Sequence, residues 1–243
     1  MRDLAASTRF HDVRELAEVD STNRYLLDLA RAGAPEGTVV VADHQTAGRG
    51  RLGRTWEAPP GSGLLVSVLL RPSLAPQRRW LVTAAVALAA ADACQAAAGG
   101  PRPAIKWPND LLVEDRKVAG ILAESDAGAV VVGVGINVTW APPGAAMLGP
   151  SVDRGQLLVR LLTNLESWCE RWDDVAQTYR RRCATVGRDV RVQLPDATIV
   201  TGRAVAVEPD GRLRVAVADR PEDLVLSAGD VAHIRTAQKA TEP

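Results

Sequence analysis

The chain has 243 residues, of which 47% are hydrophobic and 24% charged, as is typical of a globular protein with a substantial core. Lys and Arg number 29, as do Asp and Glu, so no global field draws the protein to nucleic acid or to an anionic membrane. Cys94, Cys169 and Cys183 are too few and too widely spaced for a disulfide framework, and the three histidines form no metal-ligand spacing with them. The sequence therefore predicts neither a disulfide scaffold nor a structural metal site.

The first hundred residues predict strands and helices in alternation. A strand over Val13–Val19 precedes a helix that Ser21 or Thr22 can cap. Short apolar runs at 37–45 and 63–70 predict buried strands. The alanine-rich stretch 81–98 resembles a membrane span, but alanine is weakly apolar and Asp92 lies in its middle, so a buried helix is predicted. Because the N-terminus also lacks a signal-peptide core, we expect a cytoplasmic protein without a membrane partner.

The remaining chain returns to strands, then helices, then strands again. Between 104 and 138, the runs LLV and KVAGILAES flank the turn EDR as a hairpin, and AVVVGVGINV adds a strand. Residues 153–183 have a helical pattern, and the chain after 186 has short valine-rich runs split by turns, which predict a small β-barrel. We therefore expect domains at 1–185 and 186–236, followed by a disordered tail at 237–243.

The segment GRGRLGRTW, residues 48–56, is the most informative part of the sequence. It contains three glycines and three arginines but no acidic residue. A pliable backbone and guanidinium forks match the oxygens of phosphate groups, although the spacing is neither that of a Walker loop nor that of a dinucleotide fingerprint. Taken alone, the segment is as compatible with a solvated basic loop or an RNA contact as with a phosphate-binding site. Its glycines and like charges also predict a mobile segment in the absence of ligand.

Five motifs follow one another along the chain: DSTN (20–23), DHQTAGRGRLGRTW (43–56), KWPNDLL (106–112), RKVAGILAE (116–124) and GVGINV (133–138). In kind, order and spacing they resemble the biotin protein ligase family, and GRAVAVEPDGRL and LSAGDVAHIR resemble its small C-terminal domain. The resemblance implies an α+β fold, a mixed β-sheet flanked by helices and similar to class II aminoacyl-tRNA synthetases, followed by an SH3-like barrel. It further implies that ATP and Mg²⁺ convert biotin into biotinyl-AMP, and that biotin then passes to a lysine of a biotin carboxyl carrier protein.

The resemblance also implies roles for individual residues. Those expected at biotin are Ser21, Thr22, Asn23, Gln45, Arg49, Gly50, Arg51 and Lys117. The hydroxyls and amides of the first four match the acceptor and donors of the ureido group, and Arg49, Gly50 and Arg51 would contact the carboxylate and the phosphate. Those expected at the nucleotide or adenylate are Arg49, Gly50, Arg51, Arg54, Trp56, Lys106, Asn109, Gly133, Gly135 and Asn137. Lys117, Arg51 and Asp110 would serve catalysis, Lys117 by bridging the biotin carboxylate and the α-phosphate. Two of these residues have simpler interpretations, Ser21 as a helix cap and Trp56 as a core residue.

Two other functions remain open at this point. A lipoate protein ligase shares the catalytic fold but needs a longer apolar pocket and a different arginine–glycine motif. A nucleic-acid-binding module would use the arginine loop and the barrel, and its binding would weaken steeply with salt. Only nineteen residues precede Asp20, which favours a catalytic type without an N-terminal DNA-binding domain. We expect a monomer or a weak homodimer.

Overall fold

The computed structural model describes residues 8–126, 128–218, 220–227 and 229–233. The strands of the first sheet are β1 (Val13–Val19), β2 (Val39–Gln45), β3 (Gly63–Leu70), β4 (Ala104–Lys106), β5 (Asp110–Val113), β6 (Arg116–Asp126) and β7 (Ala129–Asn137). The helices are α1 (Thr22–Arg31), α2 (Trp80–Ala98), α3 (Arg154–Cys169) and α4 (Trp172–Arg182). The second sheet contains β8 (Asp189–Gln193), β9 (Ile199–Val207), β10 (Leu213–Ala216), β11 (Leu224–Leu226) and β12 (Asp230–His233).

The first seven strands form one mixed sheet in the order β1-β2-β3-β7-β6-β5-β4. β1 and β2 are parallel and are connected through α1, whereas each later pair of neighbours is antiparallel. The predicted hairpin between β5 and β6 turns at Glu114 and Asp115, both of which have positive φ as a type I′ turn requires. This arrangement confirms the predicted fold class, a mixed sheet flanked by helices.

Helices cover both faces of this sheet. On one face, α1 packs Leu26 and Leu27 against Val40 of β2, Leu69 of β3 and Val131 of β7. On the other face lies α2, whose alanines allow neighbouring elements to approach closely, with α3 packed against it. The helix that includes α2 is long and apolar enough to cross a membrane, but 67% of its most apolar window is buried inside the protein. It is therefore a core helix, as predicted.

The C-terminal sheet has the strand order β11-β10-β9-β8-β12, with antiparallel neighbours throughout. Alternate residues of its strands, such as Val190 and Val192, point into a core that is continuous with that of the first domain. The indole N–H of Trp107 donates to the carbonyl of Gly211 at 2.9 Å across the boundary. The predicted boundary at 185–186 remains a prediction, and the predicted tail at 237–243 lies outside the described residues.

Candidate functional site

A cleft of about 890 Å³, including its open mouth, lies on the face of the mixed sheet that carries the start of α1. Loop 48–56 and the segment before β5 form its walls, and β12 of the second sheet closes one side. The cleft brings together fifteen of the sequence-predicted residues: Ser21, Thr22, Asn23, Gln45, Arg49, Gly50, Arg51, Arg54, Trp56, Lys106, Asn109, Asp110, Lys117, Gly133 and Gly135. Motifs distant in sequence thus converge on one site.

Asn137 is the predicted site residue that does not line this cleft. It is 4% exposed, and its amide nitrogen donates to the carbonyl of Ala146 at 2.9 Å and to that of Lys117 at 3.4 Å. In this structure Asn137 therefore supports the strand that carries Lys117. Its predicted contact with adenine remains a prediction.

The end of the cleft near α1 is polar but uncharged. The backbone N–H and the hydroxyl of Thr22 lie 2.8 and 2.9 Å from Oε1 of Gln45. The hydroxyl of Ser67 lies 2.8 Å from Oγ1 of Thr22 and 2.7 Å from Oδ1 of Asn23. This network orients both amide side chains, so that the nitrogen of Gln45 points away from Thr22 and is available to a ligand.

Ser21 occupies the N-cap position of α1, as predicted, but its side chain makes no capping hydrogen bond. The residue is 3% exposed and lies in the cleft wall. The N-cap position of Ser21 is therefore confirmed, although its hydroxyl makes no capping hydrogen bond. Its contact with biotin remains a prediction.

The floor of the cleft is made by glycines on β6 and β7. A Cβ at Gly133 would lie 2.4 Å from Oδ1 of Asn23, and a Cβ at Gly135 would lie 2.5 Å from the indole of Trp56. A Cβ at Gly120 would meet the same indole at 3.0 Å. A side chain at Gly133 or Gly135 would displace its neighbour, and one at Gly120 would be crowded, which accounts for glycine at these strand positions. In this structure the groups that approach the bare strands are Asn23 and Trp56, and the expected contact of Gly133 and Gly135 with the nucleotide remains a prediction.

Trp56 is a wall of the cleft and not a core residue. Its indole Nε1 is buried and has no hydrogen-bond partner among the described residues. Leaving a buried donor unpaired costs about 1–3 kcal/mol of stability. Nζ of Lys117 lies 5.4 Å from the centre of the indole ring, which connects the aromatic wall to the charged part of the cleft.

The end of the cleft near β5 is rich in cations. Asp110 pairs with Lys117 at 2.7 Å and with Lys106 at 3.7 Å. The guanidinium of Arg51 is partly buried and makes no hydrogen bond or ion pair with the part of the chain that the structure describes. Burial lowers the pKa of its guanidinium, and the nearby carboxylates of Asp110 and Asp230 partly offset this. A partly desolvated, unpaired cation favours the binding of an anion.

Loop 48–56 folds as a compact hairpin over the cleft. Arg49 and Thr55 form a β-bridge, and the N–H of Trp56 donates to the carbonyl of Gly48 at 3.0 Å. The tip residue Leu52 is half exposed and has a left-handed backbone with φ of 56°. Leucine tolerates this conformation poorly, so the tip is strained.

Two arginines of the loop are held by acids from different domains. Arg49 pairs with Glu124 of β6 at 2.8 Å, and Arg54 pairs with Asp230 of β12. The hydrogen bonds that the guanidinium of Arg54 donates to the carboxylate of Asp230 raise the pKa of Arg54. The arginines thus differ in their environments, since two are occupied and Arg51 is free for a ligand.

Comparison with known proteins agrees with this geometry. Residues 16–140 match the biotin/lipoate A/B protein ligase family, and residues 185–233 match the biotin protein ligase C terminal domain. The biotin–[acetyl-CoA-carboxylase] ligase of Mycobacterium tuberculosis is 39% identical to this chain over 248 residues, which cover 96% of the chain and 92% of the relative. This chain belongs to the biotin protein ligase family. The bifunctional ligase/repressor BirA of Escherichia coli is 34% identical over 174 residues, 65% of this chain and 53% of that relative.

Solved structures of this family have the same fold. The biotin protein ligase from Aquifex aeolicus in complex with biotin and ATP has a TM-score of 0.77 and 26% identity, covering 93% of this chain and 99% of its own. A point mutant of that protein, in complex with biotin, has a TM-score of 0.79 and 25% identity, covering 93% and 100%. The similarity extends over both sheets, which confirms the predicted biotin ligase-like domain with a small SH3-like domain after it.

Sequence reasoning missed three polar residues that shape the site. Ser67 interrupts the apolar run of β3, and a lone hydroxyl in a buried strand is a signal that could have been used. Glu124 lies inside a recognised motif but was given no role. Asp230 belongs to the second domain, and no local pattern indicates that it meets Arg54.

We expect loop 48–56 to exchange its amide hydrogens much faster than β3 in the ligand-free protein. Its two ion pairs involve largely exposed arginines and contribute about 0–1 kcal/mol each, and its tip is strained. Hydrogen–deuterium exchange followed by mass spectrometry measures this directly. Peptides from the loop that are as protected as peptides from 63–70 would contradict the expectation.

Proposed function

We propose that this chain activates biotin with ATP to form biotinyl-AMP, releases pyrophosphate, and transfers biotin to a lysine of a biotin carboxyl carrier protein. The supporting observation is the order of chemistry along the cleft. Uncharged hydrogen-bonding groups come first, then Trp56 above glycines, then a cluster of cations. Biotin has the same order, with a ureido ring, an apolar ring and chain, and a carboxylate that reacts with phosphate.

The strand register supports this order. Gly133 pairs with Leu122 across β6 and β7, and Gly135 pairs with Gly120 two residues along. Gly120 in turn pairs with Asp110 on β5. Asn23, Trp56 and the Lys117–Asp110 pair therefore follow one another across the sheet. An elongated ligand lying along this row of groups would contact all three.

The uncharged end favours biotin over lipoate. A ureido group offers one strong acceptor and two donors, and Ser21, Thr22, Asn23 and Gln45 present hydroxyls and amides to match them. Ser67 holds the side chains of Thr22 and Asn23, and Thr22 in turn holds Gln45. The dithiolane ring of lipoate has no comparable groups. Binding lipoate would leave this buried polar network without ligand partners, which is how a hydrogen-bonding site rejects an analogue.

The cationic end fits the activation step. A carboxylate resists attack by an amine because its leaving group would be oxide, so its oxygen first attacks the α-phosphorus of ATP, and pyrophosphate leaves. Negative charge develops on the phosphate in this step, and we assign its stabilisation to Lys117 and Arg51. Arg49 would contact the carboxylate and the phosphate from the loop, and Lys106 would line the same end of the cleft. The mixed anhydride then holds a good leaving group, AMP.

The transfer step needs an amine without its proton. Asp110 and Asp230 are the carboxylates among the described residues that line the cleft, and Asp110 lies beside Lys117. We therefore propose that Asp110 accepts the proton that the incoming lysine loses. Both carboxylates already have cation partners, so Mg²⁺ in this proposal enters with ATP and is held mainly by phosphate oxygens, as is usual for this ion.

The proposed function also includes a compartment, an oligomeric state and an acceptor. We propose that the enzyme works in the cytoplasm as a monomer or a weak homodimer, without binding DNA or membrane. All three cysteines are buried and free, which suits a reducing compartment. The acceptor is proposed to be a carrier domain because the Mycobacterium tuberculosis relative is named for the carboxylase that it modifies.

Mixing the protein with biotin and Mg-ATP should produce biotinyl-AMP and one equivalent of pyrophosphate. Mass spectrometry identifies the adenylate, and an enzyme-coupled assay measures the pyrophosphate. Lipoate in place of biotin is the matched control and should give neither product at comparable concentration. An adenylate formed from lipoate and not from biotin would overturn the proposal.

Arg51→Ala should weaken retention of biotinyl-AMP more than binding of biotin. Arg51 is assigned to phosphate, and losing a charge-assisted hydrogen bond costs about 1.5–3 kcal/mol, or roughly 10- to 150-fold in affinity. Dissociation of the adenylate can be followed by stopped-flow, and biotin affinity by calorimetry. Equal losses for the two ligands would remove Arg51 from the phosphate.

Lys117→Ala should slow pyrophosphate release by about 10²-fold or more at saturating biotin and ATP, by comparison with the loss of one preorganised donor. Its effect on stability should be about 1 kcal/mol or less because the side chain is 40% exposed and Asp110 keeps Lys106 as a partner. Arg116→Ala is the control, since Arg116 is adjacent in the hairpin but pairs with Glu114 outside the cleft. Near-normal release by a stably folded Lys117→Ala variant would shift the role to Lys106.

A further inference from the structure

Glu124 on β6 contacts both the uncharged end of the cleft and the arginine loop, which have separate roles in the proposed mechanism. Its Oε2 accepts a hydrogen bond from the amide nitrogen of Asn23 at 2.8 Å. Its Oε1 pairs with the guanidinium of Arg49 at 2.8 Å. One carboxylate therefore joins a residue of the uncharged end to the arginine loop.

The position of Glu124 is well determined by its surroundings. It follows Gly120 and Leu122 on the same face of β6, and its side chain is 21% exposed. The amide nitrogen of Asn23 also donates to the carbonyl of Leu122 at 3.1 Å, and Oδ1 of Asn23 is held by Ser67. Asn23 thus has fixed partners on both sides, so Glu124 is attached to a rigid group at one oxygen.

The other oxygen holds a group that is mobile by comparison. The side chain of Arg49 is 51% exposed, and its backbone belongs to the strained hairpin of loop 48–56. Because one oxygen of Glu124 is bound to the fixed Asn23, the other oxygen holds the movable Arg49 in a defined position. This places Arg49 relative to the ureido end of the cleft before any ligand binds, which reduces the ordering that the ligand must supply.

We propose that Glu124 is a positioning residue that links the ureido end of the cleft to Arg49, and thereby sets the affinity for biotin without taking part in chemistry. This inference rests on the proposed function for its ligand. Glu124 does not line the cleft, and it acts through Asn23 and Arg49. Its removal should therefore raise KM for biotin and leave kcat at saturating biotin within about twofold.

Two substitutions separate the links. Glu124→Gln retains an oxygen for Asn23 but presents its amide N–H₂ to Arg49, where a donor meets a donor. Glu124→Ala removes both links. Loop exchange in the ligand-free protein should rise about fivefold in each variant, the order of one exposed ion pair. KM for biotin should rise about fivefold in Glu124→Gln and about tenfold or more in Glu124→Ala, which also removes one hydrogen bond of Asn23.

Asp126→Asn is the matched control. Asp126 lies two residues further on the same strand and face, and it pairs with Arg31 at 2.6 Å away from the cleft. This variant loses a comparable ion pair and should change neither the exchange of loop 48–56 nor KM for biotin. A general effect of removing charge from β6 would appear in both substitutions.

The experiment compares wild type, the two Glu124 variants and Asp126→Asn by hydrogen–deuterium exchange and by steady-state pyrophosphate release with varied biotin. Glu124→Gln behaving like Asp126→Asn in both measurements would overturn the proposal, as would a fall in kcat with unchanged KM. If Glu124→Ala does not fold, the isosteric Glu124→Gln variant still tests the proposal. Absence of biotinyl-AMP from the wild type would refute the proposed function instead, and loop exchange would still test the Arg49 link.

Discussion

The site depends on the pairing of Gly120 and Gly135 across β6 and β7. Neither residue carries a side chain, so the indole of Trp56 can lie directly against the sheet, where a Cβ on either glycine would collide with it. Because Trp56 is the last residue of loop 48–56, its packing against the glycines determines where that loop crosses the cleft. Nζ of Lys117, on the strand of Gly120, lies 5.4 Å from the centre of the same indole ring. Strand positions without side chains therefore set the positions of the aromatic wall and the loop, with Lys117 beside them.

Electrostatics divide the cleft into regions with different tasks. At the α1 end, neutral groups hydrogen-bond one another through the buried hydroxyl of Ser67, and their orientation is settled before a ligand arrives. At the β5 end, Asp110 balances two lysines, while Arg51 has no counter-ion of its own among the described residues. The excess of positive charge is local, since the chain as a whole is formally neutral. The binding of an anionic group is therefore favoured at that end of the cleft.

The second domain contributes to the site as well as to the core. β12 places Asp230 against Arg54, so the arginine loop is held between the two domains, with Arg49 bound to the first and Arg54 to the second. Both ion pairs are on exposed arginines and are individually weak. A loop retained by weak contacts at both ends can form a defined hairpin and still open for substrate and product, which is the usual requirement of an active-site lid.

The sequence by itself determined the element types, the mixed sheet flanked by helices, and the residues that gather in the cleft. Hydrophobic period and turn chemistry are local properties, so the strands Val13–Val19 and Gly63–Leu70 were predicted with the bounds that the structure has. The motif resemblance supplied the rest, from Ser21 at one end to Lys117 at the other. Only the tertiary structure decided which polar groups meet. Strand register and domain packing bring Glu124 to Arg49 and Asp230 to Arg54. These residues are far apart in the chain, so no periodic pattern in the sequence indicates that they meet.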